Sequence, residues 1–176
     1  NDIMILDIAD RAISYIIPFL KENEVNNVRF HGGEPLLNKE IIEYIIKELK
    51  TRNRNVQFYL TTNGTIINGI DYIIQNTKIS VSLDGGQYYN DLNRKYKNYE
   101  GTYCCIDKFI RMMKLKEAQL KIRMTIHPNN VGGFFDNVIH IYNQYKIIPG
   151  FALDYSSAEW FDDNVVTFFR ELKKVI

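Results

Sequence analysis

The regular alternation of strand-like and helix-like segments constrains the fold of this chain more than any other feature. Runs of apolar and β-branched residues predict strands at residues 28–30, 56–60, 78–83, 120–126 and 150–155. Apolar residues spaced at i, i+3 and i+4 predict helices at residues 5–22, 39–50, 71–76, 101–118, 131–145 and from about 158 onward. A helix between each two strands lets the chain cross back, so that the next strand runs parallel to the last. The alternation therefore predicts an α/β fold with a parallel sheet, either an open doubly wound sheet or a partial barrel.

Length and charge indicate one ordinary domain with a sizeable core. The chain has 176 residues and a net charge of +1, from 22 basic and 21 acidic residues. This balance indicates neither nucleic acid nor a membrane surface as a partner. The sequence begins with Asn and stops inside a helical pattern, so we expect residues 1–176 to be a single domain truncated at both ends.

The two cysteines, Cys104 and Cys105, are adjacent in the sequence. Their spacing suits neither a zinc site nor a disulfide framework, and two thiolates are too few for an iron–sulfur cluster. We therefore expect no metal site in this chain. So few cysteines favour a cytoplasmic location.

Polar residues and glycines collect where the predicted strands end. Gly32 and Gly33 lack a Cβ atom and expose the backbone after the first strand, and Pro35 fixes φ at the start of the next segment. The other strand ends are equally polar, with residues 61–64, 82–85, 123–127 and 154–156. Five such ends in a row predict a shared polar site at the carboxyl edge of the sheet.

The residue types at this edge suggest partners for a zwitterionic ligand. Glu34 and backbone carbonyls suit a cation, Arg94 or Arg123 suits a carboxylate, and Ser82 and Asp84 suit hydroxyl groups. No pair of nucleophile and base, no phosphate-binding loop and no histidine metal motif is present. Residues 87–100 are polar and irregular in pattern, and we expect them to form a long loop.

Taken together, these motifs resemble the core of the radical S-adenosylmethionine (radical SAM) superfamily. The likeness is greatest to the branch that modifies peptides and proteins, which includes anaerobic sulfatase-maturating enzymes and relatives with a SPASM domain. It covers nearly the whole chain. The matching motifs are Gly32-Gly33-Glu34-Pro35, Thr62-Asn63-Gly64-Thr65, Ser82-Leu83-Asp84-Gly85, Leu92-Asn93-Arg94 and Gly101-Thr102-Tyr103.

The resemblance implies a partial (β/α)6 TIM-like barrel, here without its first strand and cluster loop. It also implies that this chain binds SAM. The Gly-Gly-Glu-Pro motif would hold the amino group of the methionine part, and Ser82 and Arg94 would hold its methionine and ribose parts. The backbone around Leu153 would lie beside adenine. The full set of expected SAM residues is Gly32, Gly33, Glu34, Pro35, Asn63, Ser82, Asp84, Arg94, Arg123 and Leu153.

The hallmark Cys-x-x-x-Cys-x-x-Cys motif of this superfamily is absent from the chain. The resemblance therefore implies a fragment of an enzyme that, when intact, cleaves SAM reductively at a [4Fe-4S] cluster and modifies a peptide or protein with the resulting 5′-deoxyadenosyl radical. We expect this chain alone to be inactive, and its exposed sheet edge to favour self-association. Two alternatives remain: a degenerate, cluster-free barrel that binds a peptide, and an unrelated α/β-barrel enzyme.

Overall fold

The computed structural model describes residues 4–21, 24–52, 55–155 and 159–175. Within these ranges the chain forms five β-strands and seven α-helices. The strands are β1 (Asn26–Phe30), β2 (Val56–Thr62), β3 (Thr77–Ser82), β4 (Leu120–Ile126) and β5 (Gly150–Leu153). The helices are α1 (Leu6–Ile16), α2 (Lys39–Thr51), α3 (Asp71–Asn76), α4 (Gln87–Asn93), α5 (Tyr103–Leu115), α6 (Phe134–Tyr145) and α7 (Asp162–Val175).

The five strands form one parallel sheet in the order β1-β2-β3-β4-β5. Each strand therefore pairs with its neighbours in the sequence. A doubly wound sheet would reverse its strand order at a switch point, and this sheet does not, so the partial-barrel alternative is the correct one. The α/β half-barrel that the resemblance implies is confirmed.

One face of the sheet carries the core, because successive strand residues point to opposite sides. The side chains of Phe58, Leu60, Ile79, Val81 and Ile122 point toward the helices and are almost fully buried. Burying each of them contributes roughly 1.5–3 kcal/mol relative to an exposed side chain. The residues between them, such as Tyr59 and Ser80, are only half-buried and form the concave face.

Most predicted elements are present with small shifts at their ends. The predictions for α3 and β4 match at both ends, and β2 extends two residues further, to Thr62. The first helix ends earlier than predicted, because Pro18 allows only a 3₁₀ turn at Ile17–Phe19. The last helix begins at Asp162, and Ser156 lies outside the described residues.

The prediction of a long loop at residues 87–100 is wrong in its first half. Residues Gln87–Asn93 form α4, although this stretch has few strong helix formers. Asn90 in its middle is completely buried and hydrogen-bonded to distant residues. Tertiary contacts therefore stabilise a helix that local propensity does not indicate.

Two further observations bear on the expected partners. None of the described helices is long and apolar enough to cross a membrane. Strands β1 and β5 are the edges of the sheet, so unpaired edges of the expected kind exist. Self-association through them stays a prediction.

Candidate functional site

The parallel sheet brings the predicted polar residues to one edge. Glu34 follows β1, Asn63 follows β2, and Asp84 follows β3, all at the carboxyl ends of adjacent strands. Arg94 reaches the same edge from the segment after α4. The structure therefore assembles residues that lie up to 60 positions apart into one continuous region.

The turn after β1 exposes bare backbone. Gly32 and Gly33 are both exposed, and a Cβ atom added at either would meet no heavy atom within 4 Å. Among the described residues, nothing forms a hydrogen bond with the backbone of these two glycines. The space immediately beside the turn is open, so a ligand can approach the main chain there.

Glu34 holds this turn against the end of β2. Its Oε1 atom accepts hydrogen bonds from the Leu36 amide at 3.0 Å and the Thr62 hydroxyl at 2.8 Å. Its Oε2 atom accepts from the Asn63 amide at 2.7 Å. The carboxylate is thus committed to protein donors, so its first role in this structure is to fix the shape of the glycine turn.

Asn63 organises the turn that follows β2. Its Oδ1 atom accepts from the amide and the hydroxyl of Thr65, at 2.9 and 2.7 Å. Gly64 has a φ of +72°, and a Cβ atom there would lie 2.8 Å from Val81 Cγ2. Both the backbone conformation and the packing require glycine at this position.

Asp84 and Arg94, expected to contact a ligand separately, bind each other. Arg94 Nε donates to Asp84 Oδ2 at 2.7 Å, and Nη2 donates to Oδ1 at 2.9 Å. Asp84 Oδ1 also accepts from the Thr125 amide at 2.7 Å, and its carboxylate is fully buried. The Asp84 carboxylate is therefore occupied by protein donors and holds the Arg94 guanidinium in position, and the expected contact of Asp84 with ligand hydroxyls stays a prediction.

Ser82 and Arg123 face the concave side of the sheet, next to this ion pair. They are register partners on β3 and β4. Neither side chain forms a hydrogen bond or ion pair with any residue that the structure describes. The Ser82 hydroxyl, the Arg123 guanidinium and the remaining Arg94 nitrogen, Nη1, are free to face a ligand.

Leu153 ends β5 opposite Ile126. Its side chain is half-buried against the core, which leaves its backbone as the group available to a ligand at the carboxyl edge. The expected contact of this backbone with adenine stays a prediction.

Two buried polar residues, Asn90 and Thr102, support the site on the side away from the ligand space. Thr102 belongs to a motif of the resemblance, whereas the sequence analysis missed Asn90. Asn90 Oδ1 accepts from the Asp84 amide at 3.3 Å, and Asn90 Nδ2 donates to Thr102 Oγ1 at 3.3 Å. Thr102 donates in turn to the Arg94 carbonyl at 3.0 Å. These residues fix both members of the Asp84–Arg94 pair, and no local sequence signal separates Asn90 from surface polar residues.

His127 and Asp154 form a second pair at the same edge. His127 Nδ1 lies 2.9 Å from Asp154 Oδ2, and both side chains are largely buried. The Trp160 indole donates to the Asp154 carbonyl at 2.6 Å. The sequence analysis placed His127 and Asp154 at two separate strand ends and did not predict that they pair. The pairing of β4 with β5 brings them together.

Comparison with known proteins identifies the family. The sequence pattern of the family described as the Radical SAM superfamily matches residues 8–134. This chain belongs to the radical SAM superfamily.

Individual relatives agree with this membership. The radical SAM chain is 33% identical over 129 residues to an uncharacterized protein of Methanocaldococcus jannaschii, and the match covers 69% of the chain and 42% of that protein. It is 31% identical over 108 residues to a cysteine-type anaerobic sulfatase-maturating enzyme of Clostridium novyi, covering 57% of the chain and 29% of the enzyme. The chain thus spans less than half the length of these relatives.

The fold matches a solved structure over almost its whole length. Native anSMEcpe with bound AdoMet and Kp18Cys peptide superposes with a TM-score of 0.83, covering 98% of this chain and 52% of that chain. The sequences are 18% identical in this superposition, so the likeness shows the fold.

The residues of this radical SAM chain fit SAM but do not fit an iron–sulfur cluster. The open glycine turn and the free Ser82 hydroxyl offer groups for the amino and carboxylate ends of a methionine moiety. By contrast, the whole chain has two cysteines, and the described residues contain no group of three His, Cys, Asp or Glu side chains that could hold a metal ion. Cys104 and Cys105 lie on α5, where the Cys105 thiol contacts the Thr65 carbonyl.

Proposed function

We propose that this chain is the SAM-binding half-barrel of a radical SAM enzyme that modifies a peptide or protein. The observation that carries the proposal is the open glycine turn that Glu34 holds, at the same carboxyl edge of the sheet as the free Ser82 hydroxyl and the Arg94 guanidinium. When bound beside a reduced cluster of the parent protein, SAM would supply the radical chemistry that removes a hydrogen atom from the substrate. This chain contributes the binding and orientation of SAM.

Each part of the site has a place in this proposal. Backbone carbonyls of Gly32 and Gly33 receive the SAM ammonium group, in a turn that Glu34 and Pro35 keep in shape. Ser82 donates to the methionine carboxylate, together with the cationic groups of Arg94 and Arg123. The Asn63 turn and the Leu153 backbone border the ribose and adenine, and Asp84 holds Arg94 in position.

In this proposal, residues 1–176 are a truncated core domain. The cluster ligands then belong to a segment of the parent protein outside these residues. Membership of the superfamily and the short span relative to the matched proteins support this. The sulfatase-maturating relative and the peptide bound to anSMEcpe support a peptide substrate. The two free cysteines fit the reducing cytoplasm, where we place the parent protein.

A ligand-binding experiment on this chain tests the SAM site. We expect saturation-transfer difference NMR to show binding of SAM, and the signal to weaken in Ser82→Ala. Ser80→Ala is the matched control, because Ser80 lies two residues away on the same strand face and is equally half-buried. An absence of SAM binding, or equal effects of the two substitutions, would contradict the proposed site.

A second experiment addresses the parent protein. We expect its reading frame to encode three cysteines spaced Cys-x-x-x-Cys-x-x-Cys, and the reconstituted protein to show iron–sulfur absorption and to cleave SAM on reduction. A reading frame without that motif would favour the alternative function, a cluster-free barrel that binds a peptide. The presence of only two cysteines in this chain is the observation that keeps this alternative open.

A further inference from the structure

The concave face of the half-barrel carries charges of one sign. Four strand residues there are basic: Arg29 on β1, Lys78 on β3, and Lys121 and Arg123 on β4. The five strands contain no Asp or Glu, although the chain has 21 acidic residues in total. In a chain of net charge +1, this face is therefore a distinctly positive region.

None of these four cations has an acidic partner among the described residues. Lys78 donates to Gln57 Oε1 at 2.8 Å, and its Nζ lies 5.5 Å from the centre of the Tyr59 ring. The Arg29 guanidinium lies 4.7 Å from the same ring centre. Lys121 is exposed and forms no hydrogen bond, ion pair or ring contact with a described residue.

The four basic side chains line a cleft in the concave face. A cleft of about 790 Å³ is bounded by all four of them together with neutral polar side chains such as Thr61 and Ser80. Clefts lined by one sign of charge concentrate the electrostatic field and attract ligands of opposite sign. The cleft therefore has the charge and size of a binding site for an anionic group.

We propose that this concave face binds an acidic segment of the peptide substrate. This inference rests on the proposed function, because it takes the peptide to be the molecule that reaches the barrel. The basic residues begin at Arg123, opposite Ser82 in the candidate SAM site, and continue away from it through Lys121. Acidic residues close to the modified position would lie over these cations.

The spacing of the cations fits an extended peptide better than a single phosphate. Lys121 and Arg123 are two residues apart on β4, so their Cα atoms are about 7 Å apart, which is also the repeat between alternate side chains of an extended peptide. From β1 to β4 the cations extend across three strand spacings, or about 14 Å. One phosphate group is too small to neutralise charges spread over this distance.

Peptide binding measured by fluorescence anisotropy tests the proposal. The probe is a short fluorescein-labelled peptide with Glu at alternate positions, compared with the same peptide carrying Gln at those positions. We expect the Glu peptide to bind about tenfold more tightly at low salt, with the difference shrinking as ionic strength rises. Equal binding of the two peptides would overturn the proposal.

Charge-removing variants then locate the site. Lys121→Gln should weaken binding of the Glu peptide by about threefold, and the double variant Arg29→Gln/Lys121→Gln by about tenfold. Lys108→Gln is the matched control, because Lys108 is an exposed lysine on α5, on the helical side of the sheet. An effect of Lys108→Gln equal to that of Lys121→Gln would overturn the proposal.

A competition measurement distinguishes a peptide from a small polyanion as the ligand of this face. Inorganic tripolyphosphate is added to the complex with the labelled Glu peptide, and an unlabelled Glu peptide is added in parallel. We expect the unlabelled peptide to displace the probe at the lower concentration. Displacement by tripolyphosphate at the lower concentration would assign the face to a small polyanion and overturn the proposal.

SAM binding measured on the same variants separates this inference from the proposed function. It should be unchanged, because Arg29 and Lys121 lie outside the candidate SAM site. If the chain binds SAM but binds the Glu and Gln peptides equally, this inference is wrong and the proposed function stands. If the chain does not bind SAM, the proposed function is wrong.

Discussion

Asp84 and Arg94 form a two-point ion pair in which the carboxylate is fully buried and the guanidinium is 22% exposed. The pair joins the end of β3 to the segment that follows α4. Because Arg94 Nη2 also donates to Thr125 Oγ1, the same guanidinium connects to β4. The buried Asp84 carboxylate therefore sets the position of the Arg94 guanidinium, which we propose binds SAM.

Replacing Arg94 should destabilise the fold as well as weaken SAM binding. Arg94→Ala leaves the Asp84 carboxylate buried without its cation, and we expect the free energy of unfolding to fall by about 3–5 kcal/mol. Urea denaturation provides the measurement. Arg111→Ala is the control, because Arg111 pairs with Asp107 from an exposed position on α5 and its removal should lower the free energy of unfolding much less.

The double variant Asp84→Asn/Arg94→Ala separates the two effects. It removes the buried charge, so part of the lost stability should return while SAM binding stays weak. A double variant no more stable than Arg94→Ala would show that the cost does not come from the unpaired carboxylate.

Glu34→Gln should loosen the glycine turn. The carboxylate accepts three hydrogen bonds on its two oxygens, whereas a Gln amide nitrogen cannot accept, so at least one donor at the turn loses its partner. We expect a loss of about 1–3 kcal/mol in thermal or chemical unfolding. Glu40→Gln, in the exposed first turn of α2, should cost only a few tenths of a kcal/mol and serves as the control. Equal losses in both variants would argue against the turn-holding role.

Gly33→Ala should leave stability unchanged, within about 0.5 kcal/mol, while weakening SAM binding. Its Cβ enters open space, so any effect arises from obstruction of an approaching ligand. Gly64→Ala provides the contrast, because its left-handed backbone and the contact with Val81 predict a loss of about 1–3 kcal/mol. Normal SAM binding by Gly33→Ala would remove the turn backbone from the site.

Acid stability should depend on Asp107, which joins α5 to α6. Burial alone would raise the pKa of Asp107, but hydrogen bonds from Arg111 and Tyr145 outweigh it and hold the pKa below its ordinary value. Because the pKa is lower in the folded state, Asp107 stabilises the fold above the unfolded carboxyl pKa of about 3.9, and this contribution disappears as the pH falls through the folded pKa.

Thermal melts at a series of pH values measure this contribution. The difference in Tm between the native chain and Asp107→Asn should be largest near neutral pH and shrink below about pH 4. Asp136→Asn, at an exposed position in the first turn of α6, should show little such dependence. A Tm difference that does not vary with pH would contradict the assignment.

Local sequence patterns were sufficient to predict the order of the strands and of every α-helix except α4, and they indicated a candidate site at the carboxyl edge of the sheet. Hydrophobic periodicity placed strand β4 and helix α3 without error at either end, and the polar strand ends identified Glu34 and Ser82. The bounds of these elements and the polar strand ends can be predicted from sequence, because periodicity and turn chemistry are properties of neighbouring residues. The choice between a doubly wound sheet and a half-barrel needed either the strand order or the family resemblance.

What the tertiary structure decided is which distant residues pair with one another. Asp84 and Arg94 were both expected at the site, but their mutual ion pair follows from the folding of residues 87–93 as a helix against the edge of the sheet. The pairing of His127 with Asp154 and the one-sided charge of the concave face likewise depend on strand order and register. The sequence by itself determined which groups are available at the carboxyl edge, because each strand end is locally encoded. Only the packed sheet decided which of those groups neutralise one another and which, like Ser82, stay free for a ligand.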